Sequence, residues 1–179
     1  MIFYLADQHL WHDNVLRYDA RPFADTDEMA ACIRGRWNAA VTAKDTVYLL
    51  GDYTWNPQKG AEFLRHLNGK IHLIRGNHDK LNAALRAQFC SVQDYLELRD
   101  GERQVVLSHY PIAHWNRQFH GAVHLYGHVH GNPDGQLFLQ YGQQCKAAGI
   151  PFAAYNTGCM LPYMNYTPRT LNEILAANA

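Results

Sequence analysis

Six runs of strand length recur along this chain, and a short polar cluster follows each of them at once. The runs, rich in β-branched and aromatic residues, are residues 2–6, 46–50, 71–75, 104–108, 123–126 and 152–156. Their length and composition predict β-strands. Because the loops beyond the carboxyl ends of strands in an α/β sheet meet at one edge, we expect the polar clusters to converge there.

Segments with helical periodicity lie between the strands. Residues 27–41 carry apolar side chains at intervals of four, which predicts a helix, and residues 57–67 and 80–89 show weaker forms of the same pattern. A last helix is predicted near the end of the chain, with Thr167 as its cap and Pro168 at its first position.

The order of these elements predicts the fold class. Residues 96–107, interrupted by Asp100-Gly101, predict a β-hairpin, and the glycine, proline and polar residues of 131–136 predict a loop. Alternating β and α units come first and strands dominate later, which predicts a second sheet packed on the first. We therefore predict an α/β fold, a two-sheet β-sandwich flanked by helices, with residues 1–179 forming a single domain.

Charge and cysteine usage narrow the classes of partner. The 16 Lys and Arg balance the 16 Asp and Glu, so no overall field would attract nucleic acid, and stable nucleic-acid binding is not predicted. No apolar run approaches the roughly 18 residues that cross a bilayer, and no membrane partner is predicted. The four cysteines form no CxxC pair and are expected to be reduced thiols, which favours the cytoplasm. The sequence carries no signal for an oligomeric state.

The polar clusters are rich in side chains that bind transition metals. They are Asp7-Gln8-His9, Gly51-Asp52, Gly76-Asn77-His78-Asp79, Ser108-His109, Gly127-His128-Val129-His130 and Asn156-Thr157-Gly158. Asp7 and His9 are two residues apart, as are His128 and His130, so in an extended chain each pair points to one side. The two pairs can therefore face each other across one small volume.

Asp52, Asn77 and His109 complete a set of seven candidate metal ligands. Imidazole nitrogens and oxygens without a thiolate suit Mn²⁺, Fe, Zn²⁺, Ni²⁺ or Co²⁺ better than they suit a closed structural zinc site. Seven ligands exceed what one open catalytic ion takes and suit two ions that share a carboxylate. The glycines at 51, 76 and 127 are expected to allow the sharp turn that aims each following side chain at the edge of the sheet.

In this order, the elements D-x-H, G-D, G-N-H-D, H and G-H-x-H resemble the motifs of the calcineurin-like metallophosphoesterase superfamily, and they span positions 7 to 130. The opening D-x-H-x-x-H-x-N is similar to that of a subgroup of small single-domain bacterial and phage members; the residues that extend this likeness are Tyr18, Arg21, Pro22 and Phe23. The resemblance implies the calcineurin-like αββα fold and metal-dependent hydrolysis of phosphoesters.

The resemblance also implies roles for individual residues. One metal ion would be bound by Asp7, His9, Asp52 and His130, and the other by Asp52, Asn77, His109 and His128. The cofactors would be two divalent ions, Mn²⁺ before Fe, Zn²⁺, Ni²⁺ or Co²⁺, with a bridging hydroxide as nucleophile. His78 would protonate the leaving oxygen, for which an imidazole with a pKa of about 6.5 is suited, and Asp79 would orient or charge it.

Three further residues are candidates for substrate binding. His12 follows His9 by three positions and is expected at the mouth of the site, or simply facing solvent. Arg17 and Arg21 have the bidentate geometry that binds phosphate, although arginine on a protein surface is more often only solvated.

The predicted function is hydrolysis of a small phosphoester substrate, by a phosphodiesterase or a phosphomonoesterase. A catalytically idle interaction module with the same fold is the first alternative, but it would be expected to lack part of the ligand set or the acid, and here all are present. A pyrophosphate hydrolase is the second, because a pair of metal ions can bind any phosphoryl centre.

Overall fold

Two β-sheets form the centre of the computed structural model, which describes residues 1–179. The nine strands are β1 (Ile2–Leu5), β2 (Thr46–Leu49), β3 (Lys70–Ile74), β4 (Ser91–Gln93), β5 (Tyr95–Asp100), β6 (Arg103–Ser108), β7 (Val123–Tyr126), β8 (Ala154–Asn156) and β9 (Arg169–Thr170). They pair into a five-stranded sheet of order β4-β3-β2-β1-β9 and a four-stranded sheet of order β5-β6-β7-β8.

Most neighbouring strands are parallel, which brings their carboxyl ends to the same edge. Strands β1 to β4 run parallel to one another, and only β9 is antiparallel to them. In the second sheet, β6, β7 and β8 are parallel, while β5 and β6 form the predicted hairpin, in which Asp100 pairs with Arg103. The six polar clusters lie at the ends of β1, β2, β3, β6, β7 and β8 and in the loops that follow them.

Six α-helices flank the two sheets. They are α1 (Asp13–Tyr18), α2 (Thr26–Ala40), α3 (Pro57–Leu64), α4 (Ala83–Arg86), α5 (Pro133–Ala147) and α6 (Leu171–Ala177). Met29, Ile33 and Trp37 of α2 are fully buried in the main core, as their spacing of four predicts. The structure thus confirms the predicted two-sheet β-sandwich flanked by helices.

Strand β6 shows how the second sheet is covered on both faces. Val105 and Leu107 belong to the main core, which includes residues of both sheets. Val106 points the opposite way and packs in a smaller cluster with Cys145 of α5 and Phe152. Successive side chains of a strand alternate between the two faces, so β6 lies between the sandwich core and α5.

Three element predictions were wrong in detail. Residues 169–170 pair with β1 as β9, so α6 begins at Leu171 and its cap is Thr170, not Thr167. The predicted loop at 131–136 contains the start of α5, whose cap is the Asn132 side chain. The helix predicted at 80–89 is reduced to the single turn of α4. No helix combines the length and the apolar character that crossing a membrane requires.

Candidate metal centre

The structure brings all seven predicted metal ligands into one cluster of side chains. Asp7, His9 and His130 place ligand atoms within 4.8 Å of one another, and Asp52, His109 and His128 form a second such group. The side-chain oxygen of Asn77 joins the second group, 3.0 Å from Nε2 of His109.

Asp52 lies between the two groups. Its Oδ2 atom is 3.5 Å from Nε2 of His9 in the first group and 3.5 Å from Nε2 of His109 in the second. Its other oxygen, Oδ1, accepts the backbone N–H of His78 at 2.9 Å. A single carboxylate oxygen therefore faces both groups, which is the position that a bridging ligand requires.

Most of these ligands have a left-handed backbone conformation. The extended chain predicted for them is not what orients their side chains. The φ angles are 57° for Asp7, 48° for His9, 51° for Asp52, 70° for His128 and 43° for His130. Such φ values are uncommon outside glycine and cost about 1 to 2 kcal/mol per residue. The fold maintains this strain at five ligands, which is typical of a functional site.

Two positions of the cluster require glycine, one for its backbone conformation and the other for space. Gly51 has a φ of 89°, which confirms the conformational role predicted for it. Gly76 is needed for space, because a Cβ atom there would lie 2.3 Å from Oδ1 of Asp52. Any side chain at position 76 would displace Asp52.

The hydrogen bonds of two histidines leave their Nε2 atoms facing other ligands. Nδ1 of His109 lies 2.8 Å from the carbonyl oxygen of Leu50, an atom that can only accept, so the proton is on Nδ1. Nδ1 of His130 likewise lies 2.8 Å from a carboxylate oxygen of Asp19. Histidine ligands of metal ions are typically oriented by such bonds from the other nitrogen.

The Nε2 atoms of both rings face other side chains of the cluster. Nε2 of His109 faces Oδ2 of Asp52, and Nε2 of His130 lies 3.2 Å from Nε2 of His9. No Lys or Arg side chain contacts the carboxylate of Asp7 or of Asp52, although both are buried. Nitrogen and oxygen atoms that converge around buried carboxylates with no Lys or Arg partner fit bound cations well.

The pKa shifts agree with this fit. Burial lowers the pKa of His9 to about 3, so the ring is neutral and can act as a ligand at neutral pH. Burial acts to raise the pKa of Asp52, but the hydrogen bond and charge of His109 outweigh it and lower that pKa to about 2. Burial opposes protonation of His109, yet the neighbouring carboxylates of Asp52 and Asp7 raise its pKa.

Asp79 holds the backbone of the ligand loops and makes no hydrogen bond to His78. Its carboxylate accepts the N–H groups of Asp52, Tyr53 and Gly76 at 2.9, 2.9 and 2.8 Å. Burial raises its pKa to about 6, and the three backbone donors act in the opposite direction. The structure therefore places Asp79 as a support for Asp52 and not as a partner that orients His78.

The two arginines predicted to bind substrate lie outside the cluster. Arg21 has no side-chain exposure; it donates to the carbonyl oxygens of Asp7 and Gln8 and to the carboxylate of Asp19. Its complete burial contradicts a substrate-binding role and instead gives it one in fixing the ligand loop. Arg17 is exposed and donates to the side chain of Asn14.

A cavity of 680 Å³, which we call the histidine cavity, opens onto the cluster. Its polar wall includes His12 and His78, and its apolar wall includes Val15 and Leu161. No Lys or Arg lines it. His12, predicted at the mouth of the site, thus lines the cavity that opens onto the cluster.

Trp55 supports both non-ligand histidines of this cavity. The ring of His12 stacks on it with centroids 4.1 Å apart and planes 8° apart, and the ring of His78 lies 5.1 Å away. Sequence analysis did not identify Trp55 or Asp19 as site residues, since neither belongs to a motif. The only signal for Trp55 is its position three residues after Asp52.

The segment between His128 and His130 is anchored to α5. Val129 is buried, and its Cγ2 atom would lie 3.2 Å from a Cβ atom placed on Gly135 in the first turn of that helix. The two ligands therefore flank an apolar residue that packs into the protein.

Fold and site together define the class of the protein, a two-sheet α/β domain with a candidate two-metal centre at the edge of its sheets. No family model matches the sequence. The sequence is 35% identical to the uncharacterized protein MJ1445 of Methanocaldococcus jannaschii over 73% of this chain and 70% of that protein. The chain belongs to the same family as MJ1445.

Two further similarities extend the comparison. The Gene 66 protein of Mycobacterium phage L5 is 26% identical over 71% of this chain and 76% of that protein. The crystal structure of AQ665, a protein of unknown function from Aquifex aeolicus, covers 99% of this chain and 98% of its own, with a TM-score of 0.74 and 24% identity. This protein therefore has the same fold as AQ665.

Proposed function

We propose that this protein is a metal-dependent phosphoesterase that hydrolyses a small phosphoester with the help of two divalent ions. The observation that carries the proposal is the position of Asp52, whose Oδ2 atom lies 3.5 Å from Nε2 of His9 and from Nε2 of His109. One oxygen thus faces two separate groups of metal ligands, and the imidazole of His78, which is not a ligand, lies beside them in the histidine cavity.

The residues divide between two ions as the resemblance implies. Asp7, His9 and His130 would hold one ion and Asn77, His109 and His128 the other, with Asp52 shared. When bound, the two ions polarise the phosphoryl group and make water a nucleophile near neutral pH. The nitrogen and oxygen donors suit Mn²⁺, which is the first ion to test.

His78 would serve as the general acid. Water adds to phosphorus, the bond between phosphorus and the alcohol oxygen breaks, and the alcohol leaves with a proton from the imidazole of His78, which solvent then returns. The backbone N–H of His78 is fixed by Oδ1 of Asp52, and Trp55 packs on its ring. These contacts hold His78 next to the metal ligands, although His78 itself is not a ligand.

Asp19, Arg21 and Asp79 would act as positioning residues. Asp19 fixes the ring of His130, Arg21 fixes Asp19 and the backbone of Asp7, and Asp79 fixes the backbone of Asp52. Such supporting bonds typically change metal affinity or activity by about 10- to 100-fold.

The charge of the histidine cavity favours a substrate with one phosphoryl group. Its lining contains no Lys or Arg, and the carboxylate of Asp19 is part of it. A second phosphate of a pyrophosphate or a nucleic-acid strand would therefore find no Lys or Arg side chain there, whereas proteins that bind such polyanions rely on Lys and Arg.

Metal content and turnover test the proposal together. Purified protein loaded with Mn²⁺ should hold two ions by elemental analysis and should hydrolyse p-nitrophenyl phosphate or its bis ester. Asp52→Asn should lose metal and activity together, while Asp94→Asn, at a side chain that is 72% exposed, should lose neither. Two bound ions without turnover of either ester would contradict the proposal and favour an idle interaction module.

A further inference from the structure

A second cavity, of 610 Å³, runs along α5 and meets the metal centre at His128. We call it the α5 groove. His128 is the one residue that lines both this groove and the histidine cavity. A molecule bound at the metal centre can therefore extend in two directions, one on each side of this ligand.

The α5 groove is apolar and exposed. Its lining includes Tyr110, Pro111, Leu137, Phe138 and Tyr141, of which Leu137 is 65% exposed and Tyr110 is 50% exposed. Contiguous exposed apolar surface next to polar residues commonly marks a binding site.

The charge of the groove excludes one class of occupant. No Lys or Arg lines it, and its one charged residue is Asp134. A second phosphate would be repelled there, so the groove suits an uncharged group.

Tyr110 connects the groove to the metal ligands. It follows His109 directly in the chain, and its ring lies 5.2 Å from the ring of His109 and 4.5 Å from that of His128. The apolar surface thus begins at the ligands themselves and is continuous with the site.

We infer that the α5 groove binds the second, non-leaving substituent of a phosphodiester, and that this substituent is an aromatic or other uncharged apolar group. The inference rests on the proposed function and makes it more specific. The leaving alcohol would occupy the histidine cavity beside His78, and the ester group that stays on phosphorus would occupy the α5 groove. A phosphomonoester has no such second group, so the preferred substrate is a diester.

Two diesters with the same leaving group test this assignment. Phenyl p-nitrophenyl phosphate and methyl p-nitrophenyl phosphate both release p-nitrophenol, and they differ only in the group that stays on phosphorus. With the Mn²⁺-loaded protein we expect the kcat/KM value of the phenyl ester to exceed that of the methyl ester at least tenfold. Equal values would overturn the inference while leaving the proposed function intact.

Two exposed leucines of α5 provide a matched pair of variants. Leu137 lines the α5 groove, whereas Leu139, which is 59% exposed, lines a different cavity on the same helix. Leu137→Glu should lower the ratio of the two kcat/KM values about tenfold, and Leu139→Glu should leave the ratio as it is in the wild type. The same change in both variants would mean that the effect is not local to the groove.

Binding gives a readout that does not depend on turnover. Isothermal titration of the metal-loaded protein with diphenyl phosphate and with dimethyl phosphate should show tighter binding of the diphenyl compound, and Leu137→Glu should remove the difference. If no ester is hydrolysed but this difference is found, the proposed function fails and the groove assignment stands. Sedimentation that shows a dimer in the wild type and a monomer in Leu137→Glu would assign the groove to a second copy of the chain and overturn the inference.

Discussion

The carboxylate of Asp19 lies 2.8 Å from Nδ1 of His130 and fixes which nitrogen of that ring faces the metal centre. Arg21 in turn donates to Asp19 at 2.7 Å from a fully buried position. Burial acts to raise the pKa of Asp19, but the bonds and charges of His130 and Arg21 outweigh it and lower that pKa, so Asp19 is ionised at neutral pH. The ion pair of Asp19 and Arg21 thus lies behind one metal ligand, His130.

The first prediction concerns the contact between Asp19 and His130. Asp19→Ala should weaken the binding of one of the two metal ions by about 10- to 100-fold, because the His130 ring loses the bond that orients it. Metal titration followed by calorimetry measures the change. Asp94→Ala is the control, since its side chain is exposed and pairs only with Arg75. Unchanged affinity at both ions in Asp19→Ala would rule out the positioning role.

The second prediction compares two glycines. Gly76→Ala should destabilise the protein and weaken metal binding, because its Cβ would lie 2.3 Å from Oδ1 of Asp52. Gly35→Ala is the matched control: it lies inside α2, and a Cβ there would have no atom within 4 Å apart from the backbone of its own helix, so the change should stabilise the protein by about 0.5 to 1 kcal/mol. Urea unfolding and elemental analysis check both. An equal response of the two variants would refute the steric argument.

The third prediction separates the acid from the ligands. His78→Ala should retain two metal ions, and kcat should fall by about 10²- to 10⁴-fold for esters of alkyl alcohols, which need a proton to leave. The loss should be smaller for p-nitrophenyl esters, whose leaving group needs no proton at neutral pH. A loss that does not depend on the leaving group would show that His78 has another role.

The fourth prediction is a pH dependence of stability set by His124, which is buried in β7. Its Nδ1 donates to the carbonyl oxygen of Val106, and its Nε2 accepts the backbone N–H of Ile112. Burial lowers its pKa from 6.5 to about 4 in the folded chain. Between pH 6.5 and about 4 the unfolded chain therefore binds a proton that the folded chain does not.

The free energy of unfolding should consequently fall as the pH decreases through this range, by about 3 kcal/mol in total from this one residue. Above pH 6.5, titration of His124 should add nothing to the pH dependence of stability. Comparison of urea unfolding at pH 7.5 and at pH 4.5 in the wild type and in His124→Gln isolates the contribution of His124 to this change in stability. An NMR titration of the His124 ring with a midpoint near 6.5 would contradict the prediction.

Much of the fold and the ligand set could be predicted from sequence because the signals are local. Strand β1, Ile2–Leu5, is for example an uninterrupted apolar run, and Asp7 and His9 follow it closely. Parallel pairing then brings such ends together without further information. The clustering of Asp52 with His9 and His109 follows from these two facts.

The parts that sequence analysis missed depend on contacts between distant segments. Asp19 and His130 are 111 positions apart, and nothing near Asp19 in the sequence indicates that they meet. The cap of α6 was misplaced because pairing of Arg169 and Thr170 with β1, a tertiary contact, overrides a good local cap at Thr167. The start of α5 was interpreted as a loop because Asn132-Pro133 is equally typical of a turn and of a helix start.

Val129 connects helix α5 to the metal ligands His128 and His130. It is buried between ligands His128 and His130 and packs against Gly135 of the helix. Because protein interiors are close-packed, the helix cannot shift far without moving the backbone that carries both imidazoles. The order of α5 and the binding of metal ions are thus thermodynamically linked. Metal ions should slow amide hydrogen exchange along the helix. A change that loosens the helix should weaken metal binding by the same free energy by which the metal ions stabilise the helix.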